Sequence, residues 1–317
     1  MLSRVADRLY WTARYIERAE NIARLVNVHA SLILDLPKGV GLEWRQLVNI
    51  AGSHELFAKR FRSAGERSVL AFMLGDTDNP GSILSCLSAA RENMRTTRDR
   101  MPSEAWEGVN ELYLFARRTF DNKALRKNLH ANLSQVVRRC QQITGLLAGT
   151  MSHGDGYQFV RLGRNLERAD MTTRILDVGS AVLDAPGDEI ESLYDRRWSS
   201  VLRTLGADQM YRQDVRRAVR GEYVVGYLLK DALFPRSLAH TLGEMRSCLE
   251  TLPNNDGALR AVAHAQRRVT EADSVALAGA GLHNFIDELQ ADLGAVHDQV
   301  AGTWLTPPIT EPAAAAG

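Results

Sequence analysis

A chain of 317 residues is long enough for one large domain or two ordinary ones, and a composition of 45% apolar and 24% charged residues supports a real core. The net charge of +1 argues against non-specific nucleic-acid binding, which needs a basic excess to neutralise phosphates, but leaves room for a local basic pocket. Of 39 basic residues only five are lysine (Lys38, Lys59, Lys123, Lys127, Lys230), which leaves 34 arginines, the side chain whose planar fork suits carboxylates, phosphates and buried ion pairs; a compositional bias toward Arg and Ala explains the same skew.

Helical periodicity runs through the chain, and no sustained apolar–polar alternation calls for strands. The expected helices are 4–36, 42–61, 66–74, 81–100, 103–121, 123–150, 156–184, 188–206, 208–230, 235–251, 256–279 and 280–301. Pro37-Lys38-Gly39 ends the first, and the turn formers from Gly75 to Gly81 separate the third from the fourth. Pro102-Ser103-Glu104 offers a cap after a proline. Ser152-His153-Gly154-Asp155-Gly156 and Ala185-Pro186-Gly187-Asp188 are further breaks. The end of the chain, 302–317, rich in Pro and Ala, reads as a disordered tail.

An internal repeat organises these elements. Arg14-Tyr15-Ile16-Glu17-Arg18-Ala19-Glu20 aligns with Arg164-Asn165-Leu166-Glu167-Arg168-Ala169-Asp170 at an offset of 150, and Arg24 aligns with Arg174. Trp44 and Gly52 meet Trp198 and Gly206 at offset 154. Asp76, Pro80, Ser82, Leu87 and Arg91 meet Asp231, Pro235, Ser237, Leu242 and Arg246 at offset 155. The same order with so small a drift points to a duplication of units 1–100 and 151–251, with 101–150 linking them and 252–301 following. The expectation is an all-α, multi-helix bundle over 1–301, two units packed about a pseudo-twofold axis because equivalent apolar faces bury against each other.

At about 100° per residue, Leu9, Ala13, Ile16, Ala19 and Ala23 share one face of the first helix, extended by Val5. Arg14, Glu17, Arg18, Asn21 and Arg24 gather on the other. Arg14 can reach Glu17 and Arg18 along the helix, and Glu20 can reach Arg24. Three readings of this charged face stand: a solvated face laced with weak pairs, a buried ion network locking the two halves, or a pocket for an anionic or peptide ligand. Identity of Arg14/Arg164, Glu17/Glu167, Arg18/Arg168 and Arg24/Arg174 between the copies favours the latter two. The candidate residues are Arg14, Glu17, Arg18, Asn21, Arg24, Arg164, Glu167, Arg168, Asp170 and Arg174, with Arg91 and Arg236 from the later part of the first and second units.

Other constellations read as structural. Cys86 lacks a pairing base, and Thr241 takes its place in the second copy, so a buried thiol is expected. Trp44, Trp106 and Trp198 read as core anchors. His153 and Asp155 read as a turn. No Glu-x-x-His, Cys-x-x-Cys, Walker or Rossmann pattern supports a metal, nucleotide or redox cofactor. Three well-separated cysteines, Cys86, Cys140 and Cys248, fit a reducing, cytoplasmic compartment. No signal peptide and no membrane span are read.

Leu9-Tyr10-Trp11, Arg14 to Arg24 and Arg161 to Thr172 together resemble the bacterial alpha-E domain family, a helical domain named for its E-R motif. Ser85-Cys86-Leu87, Ala90-Arg91-Glu92-Asn93 and Phe234-Pro235-Arg236-Ser237 extend the likeness over roughly 1–300. Tyr157 stands where that family leads one to expect Trp. The resemblance implies a neighbour of circularly permuted ATP-grasp ligases and transglutaminase-like cysteine peptidases, in synthesis or processing of a small peptide or peptide tag. Taken with the repeated charged faces and the missing catalytic motifs, this neighbourhood leads to the expectation of a non-catalytic partner of such a ligase, holding an anionic or peptide substrate. The alternatives are an enzyme of the same pathway using Glu17 or Glu167 as base with arginine clamps, and a purely structural scaffold. No catalytic residue is carried over; Arg14, Glu17, Arg18, Arg164, Glu167 and Arg168 carry over as the signature.

Overall fold

The computed structural model describes residues 1–35, 43–120, 128–180 and 189–305. Among them are fifteen α-helices and no strand, in keeping with the all-α expectation. In the first half these are α1 (Ser3–Asp35), α2 (Arg45–Ile50), α3 (His54–Arg60), α4 (Glu66–Leu70), α5 (Ile83–Arg95), α6 (Ser103–Phe120) and α7 (Leu129–Thr150). The second half contributes α8 (Asp155–Ser180), α9 (Glu189–Thr204), α10 (Asp208–Asp214), α11 (Gly221–Lys230), α12 (Leu238–Glu250), α13 (Asp256–Glu271), α14 (Ser274–Gly279) and α15 (Leu282–Val300).

The centre is the α1–α8 pair, the most extensive helix contact in the protein. α5 and α7 cover α1, and α6 bridges them; α12 and α15 cover α8, and α13 bridges those. Short helices cross over: α2 reaches α8, and α9 reaches α1. The outer helices follow amphipathic patterning. α6 buries Ala105, Val109, Leu112, Ala116 and Phe120, and α13 buries Ala258, Val262, Ala265 and Val269, each set at steps of three or four.

α1 is different. Its expected apolar face is buried at Leu9, Ala13, Ile16, Ala19 and Ala23, with Val5 half-buried. Its polar side is buried too, at Tyr10, Arg14, Glu17, Glu20 and Asn21. A helix enclosed all round must satisfy its charges within the protein, which rules out the solvated-face reading.

α1 and α8 come so close because Gly163 has no side chain. A Cβ there would lie 2.3 Å from the Tyr10 carbonyl oxygen. At two other glycines the reason is conformation. Gly52 (φ +63°) and Gly206 (φ +65°) adopt left-handed backbone, which glycine enters without steric cost. The Arg174 guanidinium comes close to Gly52, and that of Arg24 to Gly206.

Several expected boundaries shift. The helix expected at 42–61 is broken after Ile50 by the Gly52 turn. That expected at 208–230 divides at 215–220, where Arg216 is left-handed at φ +54°. That expected at 256–279 divides at Asp273, whose carboxylate caps α14 by accepting from the Val275 and Ala276 amides. The chain continues past 301 as a π turn, Ala301–Leu305, with Leu305 buried and the Trp304 indole donating to the Pro253 carbonyl. Packing thus holds the first four residues of the segment expected as a tail; 306–317 lie outside the described residues, as do the Pro37-Lys38-Gly39 and Ala185-to-Asp188 breaks. Trp198 is a core residue, whereas Trp44 and Trp106 are only partly buried at its margin.

His29 is buried against Trp44, ring centroids 5.1 Å apart, and its Nε2 has no hydrogen-bond partner among the described residues. Burial pushes its pKa down from 6.5 to about 4. The unfolded chain therefore takes up this proton first. Stability should fall as pH drops from 6.5 toward about 4, by about 1.4 kcal/mol per pH unit for each such group. Denaturation curves of the protein and of His29→Phe across this window check it. The variant should show the shallower slope; equal slopes would rule His29 out as the source.

Candidate functional site

The charged faces of α1 and α8 meet as one interlocked network. Glu167 is fully buried and binds two arginines of α1. Arg14 Nε donates to Oε2 at 2.8 Å, and Arg18 grips the carboxylate with two nitrogens, Nε to Oε1 and Nη2 to Oε2 at 2.8 Å. Glu17 is bound reciprocally. Arg168 of α8 donates from Nε to Oε1 at 3.0 Å and from Nη2 to Oε2 at 2.9 Å. Parallel bonds of this kind are the strongest arginine–carboxylate geometry.

The two carboxylates differ in their third donor. Arg236, at the start of the turn into α12, enters from the other side. Its Nη1 meets Glu17 Oε1 at 2.8 Å and Asn21 Oδ1 at 2.7 Å, and its Nη2 meets Glu20 Oε1 at 2.8 Å. The turn is held rigidly for this purpose. Asp231 Oδ1 accepts from the Leu233 and Phe234 amides, and Ser237 caps α12 by accepting from the His240 amide. Ser82 caps α5 in the same way. The Ser82 and Ser237 hydroxyls are therefore helix caps.

Electrostatics follow from this enclosure. Burial pushes the Glu17 carboxyl up, but Arg168 and Arg236 overcome it and hold the pKa at about 2. Burial likewise opposes ionisation of Glu167, and Arg18 and Arg14 win, keeping it below the usual carboxylate range. Both are fixed anions with no capacity to take a proton near neutrality. Arginines nevertheless outnumber carboxylates in the network, and burial depresses the pKa of Arg236.

The remaining candidates distribute as follows. Arg24 pairs with Glu20 at 2.9 Å, the local pair expected from spacing. Arg174 pairs with Asp170 at 2.9 Å. Arg14 does not pair with Glu17 as helix spacing suggested. The α8 crossing offers Glu167 instead, and the Arg14 guanidinium lies 4.7 Å from the Trp11 ring centroid and 5.7 Å from that of Tyr10. Arg164 has no ion-paired or hydrogen-bonded partner among the described residues, and its Nε is buried and unsatisfied. Arg91 stands outside the network, donating to Asn110 at 2.7 Å and lying over the Trp106 and Tyr113 rings.

Neither Tyr10, read only as part of the Leu9-Tyr10-Trp11 stretch, nor His297 is among the candidates the sequence offers. The Tyr10 hydroxyl is 2.8 Å from His297 Nδ1, and Arg14 Nη1 is 3.4 Å from the same nitrogen. Arginine can only donate, so Nδ1 is the acceptor and the ring proton sits on Nε2. With 287 residues between them, no local spacing pairs Tyr10 with His297. Glu20 was legible as the partner of Arg24 but not as a ligand of Arg236.

Burial pushes the Cys86 thiol up to about 12, the opposite of an activated nucleophile. His153 Nε2 lies 3.0 Å from the Ala148 carbonyl oxygen and the ring stacks on Tyr157, while Asp155 opens α8, so they form a turn and not a dyad. No group of three His, Cys, Asp or Glu side chains among the described residues could hold a metal ion. No helix among them is long and apolar enough to cross a membrane. A cleft of about 640 Å³ lies between the start of α1, Met101 and the α7–α8 turn, and no arginine of the network lines it.

Comparison with known proteins places this network in a family. Similar proteins include uncharacterised proteins of Mycobacterium bovis and of two strains of Mycobacterium tuberculosis, each 24% identical over 287 residues, covering 81% of this chain and 30% of the relative. The chain thus spans about a third of the length of the curated relatives it matches. No solved structure matches. The Alpha-E family model, described as a predicted alpha-helical domain with a conserved ER motif, matches residues 1–305. The Glu17-Arg18 and Glu167-Arg168 pairs at the α1–α8 crossing are two E-R sequences within that match, and the chain belongs to the Alpha-E family.

Proposed function

We propose that the protein is a non-catalytic helical partner of an ATP-grasp-type peptide or amide ligase, and that it holds an anionic or peptide substrate for that ligase. One observation carries the non-catalytic part. Glu17 and Glu167, the residues an enzyme would use as bases, are buried and bound on both oxygens by arginine. A base held at about 2 and shielded from solvent has neither the proton affinity nor the access for general-base work. The arginine excess supports an anionic ligand. The greater length of the relatives supports a partner, because a unit covering 30% of a longer chain works tethered to whatever the rest carries.

The proposal includes an origin by duplication and packing about a pseudo-twofold axis. Reciprocal bonding of Glu17 and Glu167, the matched glycines at Gly52 and Gly206, and the crossed contacts of α2 and α9 support it. A transglutaminase-like peptidase is a further proposed partner. Three buried free thiols support a cytoplasmic setting.

Co-purification of the full chain with a circularly permuted ATP-grasp ligase, followed by ligase turnover with and without the chain, is the test. A complex and faster turnover are expected. Absence of both, together with turnover by the isolated chain, would overturn the proposal.

A further inference from the structure

We infer that Arg164 is the primary contact of an oxyanion site on α8, one that takes a carboxylate or a phosphate. The inference rests on the reading that the chain holds an anionic or peptide substrate, and it names the atoms that would do so.

The argument begins from an asymmetry. Arg14 and Arg164 occupy equivalent positions in the two motifs. Arg14 is satisfied by Glu167 and by the Trp11 and Tyr10 rings. Arg164 should find Glu17 in the same way. Arg236 has taken that place, 2.8 Å from Glu17 Oε1. The position matching Arg236 in the first half is Gly81, so nothing there displaces Arg14. Arg164 is left with a buried Nε–H that donates to nothing among the described residues.

Its surroundings raise the cost. Arg161 and Arg168 stand one helical turn away on either side, on the same face of α8. Both are committed: Arg161 to Glu244 at 2.7 Å and Gln158 at 2.9 Å, Arg168 to Glu17 and to the Pro235 carbonyl at 3.3 Å. Burial first, and then repulsion from Arg168, lower the Arg164 pKa despite the nearby Glu17. A half-buried guanidinium flanked by two others is matched by an acceptor-only group with two or three oxygens. Lone-pair acceptors without charge would leave the repulsion in place. The Arg164 side chain is only partly buried, so a ligand can reach it from solvent.

An anion-poor buffer, inorganic phosphate and N-acetylglutamate define the test, read by thermal melting and by isothermal titration of the full chain. The protein should melt higher in the presence of one or both probes, phosphate reporting a phosphoryl ligand and N-acetylglutamate a carboxylate. Arg164→Gln should bind the responding probe roughly 10- to 100-fold more weakly. Without a probe, Arg164→Gln should melt at or above the unaltered protein, because it removes an uncompensated charge; a structural arginine would melt lower. Arg246→Gln, at an exposed pair with Glu250, should leave probe binding unchanged. The inference is overturned if neither probe binds, if Arg164→Gln binds as tightly as the unaltered protein, or if Arg164→Gln is destabilised without a probe. None of these outcomes depends on complex formation with a ligase, so the two proposals fail separately.

Discussion

Glu167→Gln should lower the stability of the protein by about 3–5 kcal/mol in chemical denaturation, the usual consequence of breaking a buried ion pair by removing one partner. The amide preserves shape and volume, so the loss reports the missing charge together with one acceptor oxygen replaced by an NH2 donor that faces arginine. Arg14 and Arg18 would remain enclosed with no anion between them. Glu17→Gln should cost a similar amount by exposing Arg168 and Arg236 to each other. The comparison that gives these numbers meaning is Glu92→Gln. Its pair with Arg95 is exposed and local, side chains at 57% and 51% exposure, and solvent screening leaves such pairs little to contribute. If Glu167→Gln costs no more than Glu92→Gln, the network is not holding the helices together.

Gly163→Ala should cost about 1–3 kcal/mol, although alanine is the better helix former. The added methyl would sit 2.3 Å from the Tyr10 carbonyl oxygen and 3.0 Å from its carbon, and backbone cannot rotate aside as a side chain can. α8 must therefore move away from α1. That movement also stretches the Arg14 and Arg18 bonds to Glu167, four residues further along α8. Gly145→Ala in α7 is the control, since nothing lies within 4 Å of its new methyl; it should stabilise by about 0.5–1 kcal/mol. A double-mutant cycle of Gly163→Ala with Glu167→Gln should show coupling of about 0.5–3 kcal/mol. A stabilising Gly163→Ala would mean that the helices do not cross as closely as described.

Much of this protein is determined locally. The helices, their outer amphipathic faces, the Ser82 and Ser237 caps and the Glu20–Arg24 pair follow from residues within a turn or two of one another. Helical geometry alone brings such residues together, so the sequence by itself establishes them. The matched motifs also mark Arg14, Glu17, Arg18, Arg164, Glu167 and Arg168 as a set before any contact is known.

Only the tertiary structure decides which charge meets which. Arg14 lies one helical turn from Glu17 yet bonds Glu167, 153 residues away, because the Gly163 crossing brings α8 nearer than the local partner. Arg236 wins Glu17 from Arg164 because a capped turn aims it inward, a competition no spacing rule can resolve. Charge pairing over such distances depends on where whole helices pack, and packing is a property of the assembled core. The motif residues are thus written in the sequence, whereas their roles, satisfied or left in want of an anion, belong to the fold.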